Sequence, residues 1–314
     1  MVLISSIKII SIGGVNIDLC ANVPKFPGID EEIEVVDFKE LPGGSAANYI
    51  VGVARLGVKA GFIGKIGDDY YGQILLKDFK KENVDISQIK IEKNTHSGTC
   101  LIPIDKDGNR QIFSFRGANA KLNITDIDSK YIQQASLIHV TSPPKEVAEY
   151  VAQLAREYKI LFSYDPGGKV IHKGLNFIES VLSNTDIFLP SKSELKILFP
   201  ELKDPLTAGY QLLNNFGIQI IAIKLGAQGC LIVSDKEEIY AKGFKVKVVD
   251  TTGAGDSFAA AFTVAFLKGW NLSKCAEFAN AAGALAITQV GARSALPTIH
   301  EIEKFLEEKE KFSN

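Results

Sequence analysis

The sequence lacks the features of a disulfide-bonded, zinc-binding, nucleic-acid-binding or membrane-spanning protein. Its 314 residues contain no CxxC pair, and the only four cysteines lie far apart: Cys20, Cys100, Cys230 and Cys275. This usage favours reduced thiols in the cytoplasm. A formal net charge of −2 gives no general affinity for nucleic acid or for a membrane surface. No apolar run approaches the ~20 residues that span a bilayer. The start, MVLISSIKIISIGG, has no cleavage pattern and predicts a first strand at about 7–12.

Common functional motifs are absent as well. No GxxxxGK is followed by Ser or Thr, which excludes a Walker A loop. In the stretch that begins at Gly253, Phe258 stands where a dinucleotide fingerprint has its third glycine, so a Rossmann dehydrogenase is disfavoured. The histidines have no spacing suited to metal ligation or to a triad, and we interpret them as structural: His96, His139, His172 and His300.

What the sequence does contain is an alternation of short apolar runs with amphipathic stretches. From about residue 136 the runs SLIHV, ILFSYDP, DIFLP and IQIIAIKLG are each followed by an amphipathic stretch. This alternation predicts an α/β fold with a doubly wound, mostly parallel sheet and helices on both faces. We expect residues 1–314 to form a single domain.

Two β-rich segments interrupt this rhythm. Residues 15–43 and 95–117 alternate apolar and polar positions, and DKDGN at 105–109 is a good hairpin turn. We predict that the two segments form one small sheet that projects from the main domain.

One stretch, VVDTTGAGDSFAAAF, carries a chemical signal. FKVKVV predicts a strand that ends at Asp250, and apolar residues from Phe258 onward predict a helix. Gly253, Ala254 and Gly255 therefore precede unpaired helix N–H groups, where small residues let an anion approach closely. A carboxylate at Asp256 repels an anion, which makes sense if it takes a proton from an attacking hydroxyl. The alternative is that Asp256 only complements the helix dipole.

The same stretch resembles the C-terminal signature of the ribokinase, or phosphofructokinase-B (PfkB), family of carbohydrate kinases. GGSAANYIVGVARLG at 43–57 resembles the N-terminal signature. The resemblance implies a ribokinase-like fold, ATP with Mg²⁺ as cofactors, and transfer of the γ-phosphoryl group to a sugar or nucleoside hydroxyl. It also implies that the small sheet is a lid, which in the family often pairs with the lid of a second subunit. We therefore expect a homodimer.

The resemblance also implies roles for individual residues. It makes Asp256 the base and Gly253–Gly255 the anion hole. The residues expected to bind the acceptor are Asn16, Asp18, Gly44, Ser45 and Asn48, where Ser45 replaces a lysine of ribokinase. Asp18 could instead be a solvated turn residue, and Asn48 a helix cap. Nucleotide contacts are expected from Lys224, Gly226 and Gly229 of KLGAQG and from Asn280, whose alternative is an ordinary polar position on a buried helix.

Several positions depart from the family pattern. In SKSE, Ser191 replaces the asparagine of an Asn-x-x-Glu motif, and Glu194 remains to hold Mg²⁺ through water. A site for K⁺ would use the side chain of Asp250 and the carbonyls of Thr252, Ala286 and Gly291, but Ala295 replaces a serine ligand. The segment HVTSPPKE lacks the glutamate that ribokinase uses on ribose. Arg116 could reach an acidic or phosphorylated substrate, or could be a salt-bridged strand end.

The sequence thus predicts an ATP-dependent kinase that phosphorylates a primary hydroxyl of a small carbohydrate. A nucleoside kinase of the same family is the first alternative, and a non-catalytic sugar sensor is the second.

Overall fold

A strand followed by a helix is the repeating unit of most of the chain. The fold was analysed in a computed structural model, which describes residues 8–202 and 204–311. The strands are β1 Lys8–Gly13, β2 Asn16–Asn22, β3 Asp37–Gly43, β4 Lys59–Gly67, β5 Val84–Glu92, β6 Gly98–Ile104, β7 Phe113–Phe115, β8 Leu137–Thr141, β9 Leu161–Asp165, β10 Ile187–Phe188, β11 Ile220–Lys224, β12 Gly229–Ser234 and β13 Glu238–Lys242. The helices are α1 Ser45–Arg55, α2 Tyr70–Lys81, α3 Ser129–Ile132, α4 Lys145–Tyr158, α5 Gly168–Ile171, α6 Leu175–Leu182, α7 Lys192–Leu198, α8 Pro205–Phe216, α9 Ala254–Leu267, α10 Leu272–Ala286 and α11 Ile299–Lys311.

Nine strands form the main sheet in the order β13-β12-β11-β10-β9-β8-β1-β4-β5. Neighbouring strands from β11 through β5 are parallel, whereas β12 and β13 are antiparallel additions at one edge. The strand order reverses between β1 and β8. In open α/β sheets, ligands bind beyond the carboxyl ends of the strands at such a reversal.

Helices cover both faces of this sheet. Along β1, Ile9 packs into one hydrophobic core, and Ile10 and Ile12 pack into the other. Helices α1, α9 and α10 contribute to the first core, and α4, α6 and α8 contribute to the second. Because these strands are buried on both faces, their sequences are continuous apolar runs. The predicted doubly wound, mostly parallel fold is confirmed.

A second, smaller sheet has the strand order β3-β2-β6-β7. Its strands come from the two segments that interrupt the α/β alternation, so the predicted small sheet is present. The DKDGN turn is confirmed, because the Asp105 carboxylate accepts hydrogen bonds from the backbone N–H groups of Asp107 and Asn109. Asp18 of β2 lies opposite Leu41 of β3 and Cys100 of β6.

The prediction of a strand that ends at Asp250 is wrong. Residues 244–249 belong to no strand, and the nearest strand, β13, ends at Lys242. Extended backbone forms a strand only beside another strand, whereas here the N–H groups of Val249 and Asp250 both donate to the carbonyl of Ile287, just past the end of α10. Sequence patterning did not predict β5, β12 or β13.

The first strand fits its prediction where it is described. The first strand begins at Lys8, and the predicted strand residue Ile7 lies outside the described residues. At the C-terminal end, the charged helix α11 ends at Lys311. Within residues 8–202 and 204–311, every helix is too short or too polar to cross a bilayer. Among the same residues, no cluster of three or more His, Cys, Asp and Glu side chains could hold a metal ion. The ring of His139 stacks on that of Tyr49, with the ring centroids 3.6 Å apart.

Candidate active site

The first turn of α9 carries the predicted anion hole. Gly253 is the N-cap residue with φ of +83°, and a Cβ there would overlap the carbonyl oxygen of Ala292. Glycine is therefore required at this turn, both for the left-handed backbone and for the close approach. The backbone N–H groups of Ala254, Gly255 and Asp256 lie in the first turn, where a helix provides no acceptor for them. These donors and the positive end of the helix dipole suit an anion.

Asp256 lies at this helix start, partly buried. Its Oδ2 accepts a hydrogen bond of 2.8 Å from the Nδ2 of Asn48. Burial raises the pKa of Asp256 to about 7, the negative charge of Asp165 adds to this, and Asn48, Lys224 and Ser45 oppose it. A carboxyl group with a pKa near neutrality is suited to accept a proton from a hydroxyl.

Asn48 reaches Asp256 because helices α1 and α9 pack closely. A Cβ on Gly52 of α1 would lie 3.0 Å from the Cβ of Ala260 of α9, so the two helices meet through small residues. Asn48 is buried in the first turn of α1, after Gly44 and Ser45. The Asn48 side chain does not cap the helix, because no side chain makes a capping hydrogen bond at the start of α1.

Asp18 and Asn16 lie on β2 of the small sheet, next to Gly43 and Gly44 before the start of α1. Asp18 is only 7% exposed in β2, so it is not a solvated turn residue. Its Oδ1 accepts a 2.6 Å hydrogen bond from the amide of Asn16, and burial raises its pKa to about 6. A Cβ on Gly43, at the end of β3, would overlap the Asp18 carboxylate. Gly43 is therefore also needed for this site, and sequence analysis had not assigned it a role.

Arg293 is a further residue of this site that no sequence pattern predicted. Its guanidinium is 6% exposed and donates to Asn48, to Asp78 of α2 and to the carbonyl of Gly43. A lone arginine gives no sequence signal for such a role, because its partners come from separate segments of the chain.

A cavity of about 270 Å³ adjoins the start of α9. It is lined by predicted nucleotide residues and by the first residues of α9: Lys224, Gly226, Gly229, Asn280, Ala254 and Gly255, among others. Asn280 also donates to the carbonyl oxygens of Ala241 and Lys242 at 3.0 and 3.2 Å. It thus lines the cavity and ties α10 to the end of β13.

Lys224 places a positive charge beside the predicted anion hole. Its side chain is 15% exposed and forms an ion pair with Asp165, another residue that sequence analysis missed. Burial disfavours the ammonium, but Asp165 and Glu194 outweigh this effect and raise the pKa of Lys224. Its Nζ lies 3.6 Å from the position that a Cβ on Gly255 would occupy. The lysine is therefore charged and adjacent to the first turn of α9.

Ser191 and Glu194 form a capping box at the start of α7. The Ser191 Oγ accepts from the Glu194 N–H at 3.2 Å, and the Glu194 Oε2 accepts from the Ser191 N–H at 2.7 Å. Burial and the charge of Asp165 raise the pKa of Glu194, against the effect of Lys224. The two carboxylates, Asp165 and Glu194, act on Lys224 of this cavity and would fit a Mg²⁺ ion that keeps most of its waters.

The segments of the predicted K⁺ site lie together. The Asp250 carboxylate accepts from the N–H and hydroxyl of Thr252 and from the N–H of Gly291, and its own N–H reaches Ile287, next to Ala286. Burial opposes ionisation of Asp250, but the donors of Thr252 and Gly291 outweigh it and lower its pKa. An ionised carboxylate suits a cation, and the K⁺ site stays a prediction.

Two arginines of the small-sheet segment meet the main body near this site. Arg116 donates to the carbonyl of Ser142, at the carboxyl end of β8, with 3.1 Å between the atoms. Arg110 donates to the Thr252 hydroxyl at 2.7 Å and lies 3.7 Å from the Asp250 carboxylate. Arg116 thus contacts a carbonyl and not a salt-bridge partner, and its predicted substrate role stays open.

Comparison with known proteins agrees with this geometry. Residues 6–299 match the model of the pfkB family carbohydrate kinases. An ATP-dependent ribose-1-phosphate kinase of Halopiger xanaduensis is 32% identical, over 96% of this chain and 99% of that protein. The crystal structure of a Thermotoga maritima ribokinase superimposes with a TM-score of 0.86 at 30% identity, over 96% of this chain and 99% of that one. The nucleoside kinase of Methanocaldococcus jannaschii gives 0.84 at 25% identity, over 96% and 98%. The chain belongs to the PfkB family of carbohydrate kinases, phosphotransferases that act on sugar hydroxyls, and has their ribokinase-like fold.

Proposed function

We propose that this protein transfers the γ-phosphoryl group of ATP to a primary hydroxyl of a small carbohydrate. One observation carries the proposal: the Asp256 carboxylate lies in the first turn of α9, where it is hydrogen-bonded to Asn48, and the neighbouring residues Ala254 and Gly255 of the same turn line the cavity. A base between acceptor and donor sites is the arrangement that in-line phosphoryl transfer needs.

Each group has a defined task in this reaction. Asn16 and Asp18 hold sugar hydroxyls, since an amide both donates and accepts and a carboxylate accepts two hydroxyl protons. Asp256 takes the proton of the acceptor hydroxyl while that oxygen bonds to the γ-phosphorus and the bond to the bridging oxygen of ADP breaks. The N–H groups of Gly253–Gly255 and the Lys224 ammonium stabilise charge on the transferred group. Mg²⁺ neutralises phosphate charge when it is bound, and Glu194 would hold it through water.

The small sheet would serve as a lid in this single-domain protein. It carries the acceptor residues Asn16 and Asp18, and its Arg110 contacts Thr252 on the main body. A closed lid excludes water, which would otherwise accept the phosphoryl group.

The sugar itself is best identified by a screen for ADP production. The acceptors tested are pentoses, hexoses, sugar acids, sugar 1-phosphates and nucleosides, each with MgATP. We expect turnover with a sugar or a sugar phosphate, in line with the similarity to a ribose-1-phosphate kinase. Turnover of adenosine or cytidine alone would support the nucleoside alternative, which the structural similarity to a nucleoside kinase favours as the second candidate.

The rate should rise with pH across neutrality. Asp256 acts as a base only when deprotonated, and burial raises its pKa to about 7. We therefore expect kcat/KM to increase through a pH near 7 and then level off. Asp18, with a pKa raised to about 6, should steepen the fall at lower pH. A kcat/KM that is flat between about pH 5.5 and 8.5 would contradict a base with this pKa.

We also propose that the protein is a cytoplasmic homodimer that pairs through the outer face of the small sheet. This face, opposite to Asp18, exposes four large apolar side chains: Phe38 at 51%, Leu101 at 44%, Phe113 at 58% and Phe115 at 55%. Exposed apolar patches of this kind mark association sites. The described cysteines are free thiols, as a reducing compartment requires.

Light scattering tests the dimer directly. The protein should have twice the mass of one chain, and Phe113→Glu with Phe115→Glu should give a monomer, because two buried charges are costly in an apolar interface. Ile124→Glu changes an equally exposed apolar residue outside the small sheet and should leave the dimer intact. A wild-type protein that is monomeric at all concentrations would contradict the proposal.

A further inference from the structure

The buried arginine at position 293 carries an inference that the family assignment does not supply. We propose that Arg293 is a positioning residue for the catalytic base, because it fixes which end of the Asn48 side-chain amide faces Asp256. The inference deepens the proposed function, since it takes Asp256 as the base.

The contacts leave the amide one orientation. The Nε–H of Arg293 donates to the Oδ1 of Asn48 over 3.0 Å, and the Nδ2 of Asn48 donates to the Oδ2 of Asp256 over 2.8 Å. A guanidinium has only donors and an ionised carboxylate only acceptors, whereas an amide has one end of each kind. Turning the amide over would face its nitrogen to a guanidinium and its oxygen to a carboxylate. Arg293 therefore keeps the Nδ2 of Asn48, and not its Oδ1, facing the Asp256 carboxylate.

The guanidinium is itself held from several sides. One Nη group pairs with the Asp78 carboxylate, and the other donates to the Gly43 carbonyl at 2.9 Å. Its carbon lies 5.3 Å from the centre of the Phe79 ring. All three nitrogens of the fork therefore have acceptors on separate segments, α1, α2 and the end of β3. Lysine could not satisfy all of these acceptors, because its single ammonium has no planar fork.

Loss of the Arg293 guanidinium should change the pKa of Asp256, because Asn48 connects the two side chains. A free Asn48 amide can rotate, and Asp256 then loses a donor that stabilises its charged form. The other groups that face Asp256 stay in place: the negative Asp165, the positive Lys224 and the hydroxyl of Ser45. The pKa of Asp256 should therefore rise, and less of the base is ionised at neutral pH. Arg293 also faces Asp18 and holds the Gly43 carbonyl, so the KM of the acceptor should rise as well.

The test compares the pH dependence of kcat/KM in the wild type and in Arg293→Lys. The lysine keeps a positive charge for Asp78, so the variant should fold. On the acid side of the profile, kcat/KM falls as Asp256 becomes protonated; we call this fall the acid limb. We expect the midpoint of the acid limb to shift to a higher pH by about one unit, the effect of one hydrogen bond to a charged group. A second variant, Arg293→Met with Asp78→Asn, removes the ion pair as a unit and should give the same shift. A folded variant of either kind with an unchanged acid limb would overturn the proposal.

Arg55→Lys is the matched control. Arg55 is partly buried and pairs with Glu82. It also donates to the backbone carbonyls of Arg293 and Leu296. Unlike Arg293, it has no hydrogen bond to Asn48. This variant should lower the thermal midpoint without moving the acid limb. In an Asn48→Ala background, Arg293→Lys should produce no further shift, because the amide that transmits its effect is gone.

A direct titration separates this inference from the proposed function. Carboxyl ¹³C NMR gives the pKa of Asp256, and the resonance that is absent from Asp256→Asn identifies it. If no acceptor is phosphorylated, the proposed function fails, and the titration still decides the role of Arg293. An Asp256 pKa that is the same in wild type and Arg293→Lys would refute that role even in an active kinase.

Discussion

Asp256→Asn is expected to reduce kcat by about 10²- to 10⁴-fold, the usual effect of removing a positioned general base. The amide cannot take a proton from the acceptor hydroxyl, while its size and its place beside Asn48 are unchanged. Binding of sugar and nucleotide should stay within a few-fold of wild type. Steady-state kinetics and calorimetric titration of each ligand measure the two effects separately.

Asp186→Asn provides the control for this substitution. Asp186 precedes β10 and accepts hydrogen bonds from the Phe162 N–H and the Gln219 side chain, and burial raises its pKa too. It lies at the opposite end of the strands from Asp256, so the variant should lose stability and keep its kcat. If Asp256→Asn retained turnover within a few-fold, Asp256 would not be the base. A protein that binds sugar and never forms ADP would instead be the non-catalytic sensor.

Lys224→Met is expected to lower kcat by about 10²- to 10³-fold, the typical loss when one charge-stabilising group leaves an active site. The Lys224 ammonium lies beside Gly255 of the proposed anion hole and is positively charged. Charge that develops on the transferred phosphoryl group would lack this partner, and Asp165 and Glu194 would repel the nucleotide more strongly. Single-turnover measurements at saturating MgATP isolate this effect from weaker nucleotide binding.

Lys65→Met controls for the loss of a buried lysine as such. Lys65 is 6% exposed and lies between two carboxylates, Asp126 at 2.8 Å and Glu92 at 3.3 Å, much as Lys224 lies between Asp165 and Glu194. Lys65→Met should destabilise the fold to a similar degree and leave kcat unchanged. Equal losses of kcat in the two variants would show that Lys224 acts only through stability.

The local features of this site were readable from the sequence. A turn with two glycines, an aspartate and an apolar helix after it has a short-range pattern, and α9 begins at Ala254, within the Gly253–Gly255 stretch predicted to lie at the helix N-terminus. The apolar runs predicted β8 to β11 for the same reason. Residues 244–249 show the limit of such patterns, because a partner strand, and not alternation alone, makes an extended segment part of a sheet.

The sequence by itself determined the fold class, the family and the turn that carries Asp256, since each depends on residues that are neighbours along the chain. Only the tertiary structure decided what surrounds that carboxylate. Burial sets its pKa near 7. Asn48, which is 208 residues away along the chain, donates a hydrogen bond to it, and Arg293, which is 37 residues away, holds Asn48. Hydrogen bonds and desolvation depend on distance in space, which the order of residues does not express until the chain has folded.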